Sequence, residues 1–176
     1  MFFQLMSLFF ARYYKFSFFY SPMIIATHLI ITAFFALLFA GDFSSKEFII
    51  FIAVALFSTY LPDIDSKFSS IGKIAVFRPF QWFVRHRSLT HSAVFLSAVC
   101  FILQLIHPFL TAPFALGYGL HILADGFTKH GVRVFYPLNW KLRGVVKTGG
   151  LAEALIFAFF LAGTILVVLK NLQLLF

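Results

Sequence analysis

The sequence predicts an all-α fold, a polytopic membrane helical bundle of about five spans with an N-terminal interfacial helix. Three observations predict it. Of 176 residues, 61% are apolar and 11% charged, against about 45–50% and about 25% in an ordinary soluble domain. A single core in so short a chain cannot hide that much apolar surface, because small domains bury too small a fraction of theirs. The apolar residues, 28 phenylalanines among them, also gather into runs close to the roughly 17–25 residues that a helix needs to cross a bilayer. A soluble cytosolic enzyme, a disordered tail and a collagen-like or disulfide-rich secreted module are excluded on the same grounds. Cys100, inside an apolar run, has no second cysteine to pair with and reads as a small core hydrophobe.

In chain order, residues 1–20 are aromatic with Arg12 and Lys15 among them, which suits a helix lying in the interface. They do not read as a cleaved signal: no basic residue precedes the apolar stretch, and no A-x-A-like site follows. Spans are expected at Pro22 to Ala40, Glu47 to Leu61, Leu89 to His107, Pro108 to Ala124 and Leu151 to Leu169. The second is short, and the third and fourth meet at His107-Pro108 as a helical hairpin. All of residues 1–176 form one membrane-embedded domain. Twelve of the 14 Lys and Arg residues fall before the first span, between the second and third, or between the fourth and fifth. Only Lys46 and Lys170 fall on the other side. By the bias of basic residues toward the cytoplasm, residues 62–88 and 125–150 face the cytoplasm, and the net charge of +8 belongs to loops rather than to a nucleic-acid site.

That topology brings the candidate metal ligands to one end of the bundle. His28 lies near the start of the first span, and Asp63 and Asp65 lie where the second emerges, in LPDID. His86 and His91 bracket the entry of the third, in HRSLTH, with Ser88 as a plausible helix cap. His121 and Asp125 end the fourth, spaced by four and so on one helical face. Asp63 and Asp65 follow Pro62 in a non-helical turn, where two carboxylates could point to one centre. Imidazoles with carboxylates suit zinc, manganese or iron. Singly, each residue has a bland reading: a hydrogen-bonded core histidine, a turn-forming aspartate, or, for Glu153, complement to a helix dipole. Seven ionisable groups at membrane depth and at one face favour function, because such groups are costly there. His107 and His130 are left out of the set.

The same residues resemble the YdjM-like family of inner-membrane proteins. The resemblance rests on TH at 27–28, LPDID at 61–65, HRSLTHS at 86–92 and GYGLHILADGFTKHGVRVFYP at 117–137, and covers residues 22–155 in order. Ser88 stands where the family usually has Gly, and Lys129-His130 where a Pro-containing turn is common. The resemblance implies a bacterial or archaeal cytoplasmic membrane protein of a kind described as a predicted metal-dependent hydrolase, with some members described as LexA-binding. A more distant similarity, in ligand types and helical character alone, is to zinc-dependent phospholipase C and P1 nuclease. It implies phosphoester hydrolysis at a multi-metal site, although no amino-terminal Trp ligand like theirs is apparent.

The expected activity is therefore metal-dependent hydrolysis of a lipid-linked or other phosphoester at the cytoplasmic membrane face. More than one divalent ion, zinc first, would be held by His28, Asp63, Asp65, His86, His91, His121 and Asp125. Asp65 is the candidate base, and Arg87 would grip the phosphoryl group through its fork of donors. No G-x-S-x-G elbow supports a serine nucleophile. The expected partners are membrane lipids and, on the alternative reading of a non-catalytic regulator, a LexA-type repressor. A metal-ion transporter would place its ligands near the midplane instead.

Overall fold

The computed structural model describes residues 24–40, 43–66, 69, 72–83 and 89–173. The expected interfacial helix at residues 1–20 lies outside them. Among the described residues the chain is helical, without strands. Its helices are α1 (Ile25–Phe39), α2 (Ser45–Tyr60), the short α3 (Arg78–Phe83), α4 (Ala93–Ile106), α5 (Pro108–Phe127) and α6 (Leu151–Gln173), with 3-10 turns at Leu61–Asp65 and Ala75–Phe77.

Local chemistry explains the boundaries. The second helix starts under a capping box, in which Ser44 Oγ accepts from the Glu47 N–H and the Glu47 carboxylate accepts from the Ser44 N–H, satisfying two orphan donors at once. The 3-10 turn extends α2 to Asp65, so the short second span becomes a 21-residue apolar rod over residues 45–65. LPDID is thus helical rather than the irregular turn expected, since Pro62 near the start of that turn has the fixed φ that an initial helical position requires. The fourth helix begins at Ala93, four residues later than expected, because Leu89–Ser92 form a turn that ends on Ser92. The Ser92 hydroxyl accepts from the Phe95 N–H, so Ser92 is the cap; Ser88 lies outside the described residues. His107 ends α4 and precedes α5 directly, as the His107-Pro108 pair predicted.

The fifth helix is central: it packs on α1, α2 and α4, while α6 packs on α1. Its approach to α2 depends on Gly117, where a Cβ would collide with the Ala55 carbonyl and the Ser58 hydroxyl. The interior is polar for so apolar a chain, with Thr27, Thr32, Ser58 and Thr59 all buried and Thr32 bonded to Thr59 at 2.9 Å. The outside is apolar: Phe101, Leu105 and Ile106 on α4 and Phe159 and Leu166 on α6 are each at least 66% exposed. In lipid there is no hydrophobic force between helices, so small residues and polar contacts bring them together. Two stretches, 45–65 and 151–171, are long and apolar enough to cross a bilayer, and α1 and α4 are shorter apolar helices.

The segment between α5 and α6 has two isolated bridges, Thr128 with Val146 and Val132 with Leu142. Gly131 turns it with φ +62°, and a Cβ there would strike the Leu142 carbonyl. The Val134 carbonyl accepts from the Ala93 N–H at 2.7 Å, which ties this segment to the start of α4 and holds the turn at His91.

Two substitutions on α5 test the packing. Gly117→Val should lower thermal stability in detergent by about 1–3 kcal/mol or more, as overpacking does. Gly119→Ala should be tolerated, because a Cβ there meets only Leu96 Cδ2 at 3.7 Å. Equal melting temperatures for both variants and the parent would contradict a close α2–α5 contact at Gly117.

Candidate metal centre

Four elements contribute to the site, and each places its side chain for a local reason. His28 lies in the first turn of α1. That turn is anchored by Glu153 on α6, whose Oε1 accepts from the Ile24 N–H at 2.7 Å and from the Thr27 hydroxyl at 3.1 Å. Asp63 sits on the 3-10 turn after α2, where the Ser69 hydroxyl donates to its backbone carbonyl at 2.6 Å. Gln81 on α3 braces the next residue by donating to the Ile64 carbonyl at 2.7 Å. His91 lies in the turn before α4. His121 and Asp125 share one face of α5 with Gly117 and Tyr118, and the Thr128 hydroxyl closes that helix end on the Asp125 carbonyl. All five residues are at most 6% exposed.

They converge at one end of the bundle. His28, His121 and Asp125 form one group whose donor atoms lie within 4.8 Å of each other, and Asp63, His91 and His121 form a second. His91 Nε2 stands 3.6 Å from both Asp63 Oδ1 and Asp125 Oδ2. His121 Nε2 is 3.7 Å from Asp63 Oδ1, and His28 Nε2 is 3.8 Å from Asp125 Oδ1. The His28 and His121 rings stack with centroids 4.1 Å apart.

These separations decide what the arrangement can hold. His121 Nδ1 lies 2.7 Å from the Thr59 carbonyl, which can only accept, so Nδ1 carries the proton and the neutral ring presents a lone pair at Nε2. That lone pair faces a carboxylate oxygen, so two acceptors oppose each other in a buried interior. Nor would a second proton help, since 3.6–3.8 Å exceeds the roughly 2.7–3.2 Å of an N–H···O bond. His28 Nε2, Asp63 Oδ1 and His121 Nε2 are buried without a hydrogen-bond partner among the described residues. Each such atom costs about 1–3 kcal/mol, more where charge is involved. Donors about 2.1 Å from a common cation stand about 3.0–3.6 Å apart at angles of 90–120°, so the spacing fits a divalent ion within a few tenths of an ångström. The fixed His121 tautomer is the outer hydrogen bond that ligating histidines usually make.

The other expected residues fall elsewhere. Asp65 belongs to neither donor group: its Oδ2 lies 3.6 Å from His91 Nδ1, on the opposite edge of the ring from Asp63. Residues two apart on a 3-10 turn diverge by about 120°, so Asp63 and Asp65 flank His91 instead of pointing to one centre. His86 and Arg87 lie outside the described residues. His107 and His130, left out of the set, are in neither group. Composition and spacing gave no hint of Thr59, which acts through its backbone carbonyl, nor of Tyr118, whose hydroxyl donates to the Thr90 carbonyl. Tyr118 is three residues before His121, and that helical spacing is the one signal that could have found it.

Glu153 is a structural clamp. It is 2% exposed, and besides its two bonds to α1 it accepts from the Gly149 N–H at 2.6 Å. Glu153→Ala leaves those donors without their carboxylate, and hydrogen bonds to charged groups contribute about 1.5–3 kcal/mol each. With three such bonds lost, the variant should lose at least about 3 kcal/mol of stability. An unaltered melting temperature would contradict the clamp.

A family profile described as YdjM inner membrane protein matches residues 23–174. The Inner membrane protein YdjM of Escherichia coli (strain K12) is 35% identical to this chain over 98 residues, 51% of this chain and 50% of that protein. The protein of the same name from Shigella flexneri gives the same figures. The chain spans about half the length of these curated relatives. No solved structure matches. The profile covers all of the described helices, and on that match the chain belongs to the YdjM inner membrane protein family.

Proposed function

We propose that the chain is a multi-pass, metal-dependent hydrolase of the cytoplasmic membrane, acting on phosphoesters at the cytoplasmic face. One observation carries this reading: three imidazoles and two carboxylates from four elements meet, buried, with acceptor atoms facing acceptor atoms. Family membership and two bilayer-length apolar stretches support the membrane setting. Five spans and a cytoplasmic site remain the orientation that the twelve basic residues favour.

The cation would be held by His121 with partners drawn from His28 and Asp125 or from Asp63 and His91. His121 has one nitrogen to offer, because the Thr59 carbonyl takes the other, so the two donor groups cannot each have it. Donors to one ion at about 2.1 Å are at most about 4.2 Å apart, and the five donor atoms do not all lie within 4.8 Å of one another, so one ion would take His121 with the rest of one group while the other group's residues line it. A donor set of imidazole and carboxylate suits zinc, manganese or iron. When bound, such an ion polarises a phosphoryl oxygen and brings the pKa of water down toward neutrality. The chain's own part is to exclude bulk water and to keep the donors fixed by the Thr59 and Ser69 contacts. Arg87 is the proposed grip on the phosphoryl group. Substrate at the membrane surface is favoured because each basic residue near an anionic leaflet adds roughly 1 kcal/mol of attraction, and the loops between α2 and α4 and between α5 and α6 carry most of them.

Two measurements test this. Full-length protein purified in detergent should contain about one equivalent of zinc, manganese or iron. It should release phosphate from phospholipids or isoprenoid phosphates, and His121→Ala should lose both properties while still inserting into the membrane. Chelator-sensitive release from soluble phosphoesters alone would keep the hydrolase and reject the lipid substrate. Metal-free, inactive protein that binds a LexA-type repressor would overturn the proposal in favour of a membrane-bound regulator. For orientation, Lys73→Cys and Val145→Cys, both at exposed positions, in a Cys100→Ala background should both be labelled from the cytoplasmic side. Labelling from opposite sides would refute the five-span arrangement.

A further inference from the structure

We infer that Asp65 and Thr90 form an outer hydrogen-bonded relay that orients the His91 imidazole, so that Asp65 is a positioning residue and neither a ligand nor a base. The inference rests on the metal-centre reading above and deepens it.

The Thr90 hydroxyl lies 2.5 Å from Asp65 Oδ2 and 3.2 Å from His91 Nδ1. A hydroxyl has one hydrogen. With the carboxylate able only to accept, that hydrogen goes to Asp65, and the hydroxyl oxygen must receive the hydrogen on His91 Nδ1. The neutral ring is thereby fixed in the same tautomer as His121, with its Nε2 lone pair aimed between Asp63 Oδ1 and Asp125 Oδ2 at 3.6 Å from each. Thr90 is itself held, because Tyr118 donates to its carbonyl, and both Thr90 and Asp65 are at most 3% exposed. The two histidines grouped with Asp63 are thus oriented by different devices. A backbone carbonyl serves His121, and a threonine–aspartate relay serves His91. Outer partners of this kind raise the basicity of a ligating imidazole and typically change metal affinity by about 10–100-fold.

The experiment titrates Co(II) into metal-stripped, full-length protein in detergent and follows its d–d absorption, which reports the inner donors. The variants are Thr90→Val, Thr90→Ser, Asp65→Asn and the Thr90→Val/Asp65→Asn double variant. Every one should reach the parent's saturated spectrum. Thr90→Val and Asp65→Asn should each bind Co(II) about 10–100-fold more weakly, and Thr90→Ser, which keeps the hydroxyl, should recover nearly all of the affinity. The double variant should be no weaker than the weaker single one, because both changes break one relay. A changed saturated spectrum for Asp65→Asn would make Asp65 an inner ligand and overturn the inference. Unaltered affinity in Thr90→Val, or additive losses in the double variant, would overturn it as well. Should Asp65→Asn fail to fold, the Thr90→Val and Thr90→Ser pair decides the matter alone. Failure of the parent protein to bind Co(II) would overturn the underlying metal reading, and is seen before any variant is compared.

Discussion

The opposition of His121 Nε2 and Asp63 Oδ1, 3.7 Å apart in a buried pocket, is the constraint on which the rest depends. Both atoms are acceptors once the Thr59 carbonyl has fixed the His121 tautomer. Two acceptors held that close in low dielectric repel unless something positive lies between them. A folded protein accepts such a cost only where the surrounding structure enforces it. Here the enforcement is extensive. Gly117 admits α2 against α5, which brings the Thr59 carbonyl to His121; Ser69 and Gln81 hold the turn that carries Asp63; Glu153 ties the first turn of α1, and with it His28, to α6.

The same contacts show how the fold produces its site. In a bundle surrounded by lipid, apolar surface does not distinguish inside from outside, and the exposed phenylalanines and leucines of α4 and α6 illustrate this. Polar contacts between helices therefore carry the specificity of packing. The hydroxyl of Thr32, midway along α1, meets that of Thr59 in the last turn of α2, and the ionisable residues meet at the end where α1 begins and α2 and α5 finish. Packing and site are one network, and a change at Gly117 reaches His121 through a single turn of helix.

Much of this was legible in the sequence. The composition specified helices in an apolar solvent, the His107-Pro108 pair marked the hairpin, and the four-residue spacing of His121 and Asp125 placed both on one face. The grouping of ionisable residues at one end followed from the alternation of spans. What was illegible depended on backbone geometry. Asp63 and Asp65 look equivalent in LPDID, yet a 3-10 turn sends them to opposite edges of His91. Thr59 contributes a carbonyl, which every residue possesses, so nothing in its identity marks it. Glu153 looked like a partner for its own helix dipole, whereas its carboxylate reaches across to the start of α1.

X-ray absorption at the metal edge of full-length protein, purified without added metal, tests the central claim most directly. It reads the donor shell itself. The account predicts nitrogen and oxygen neighbours at about 2.0–2.2 Å, the multiple-scattering signature of at least two imidazoles, and no sulfur. A shell with sulfur, with fewer than two imidazoles, or with only water oxygens would contradict a centre built by His28, Asp63, His91, His121 and Asp125.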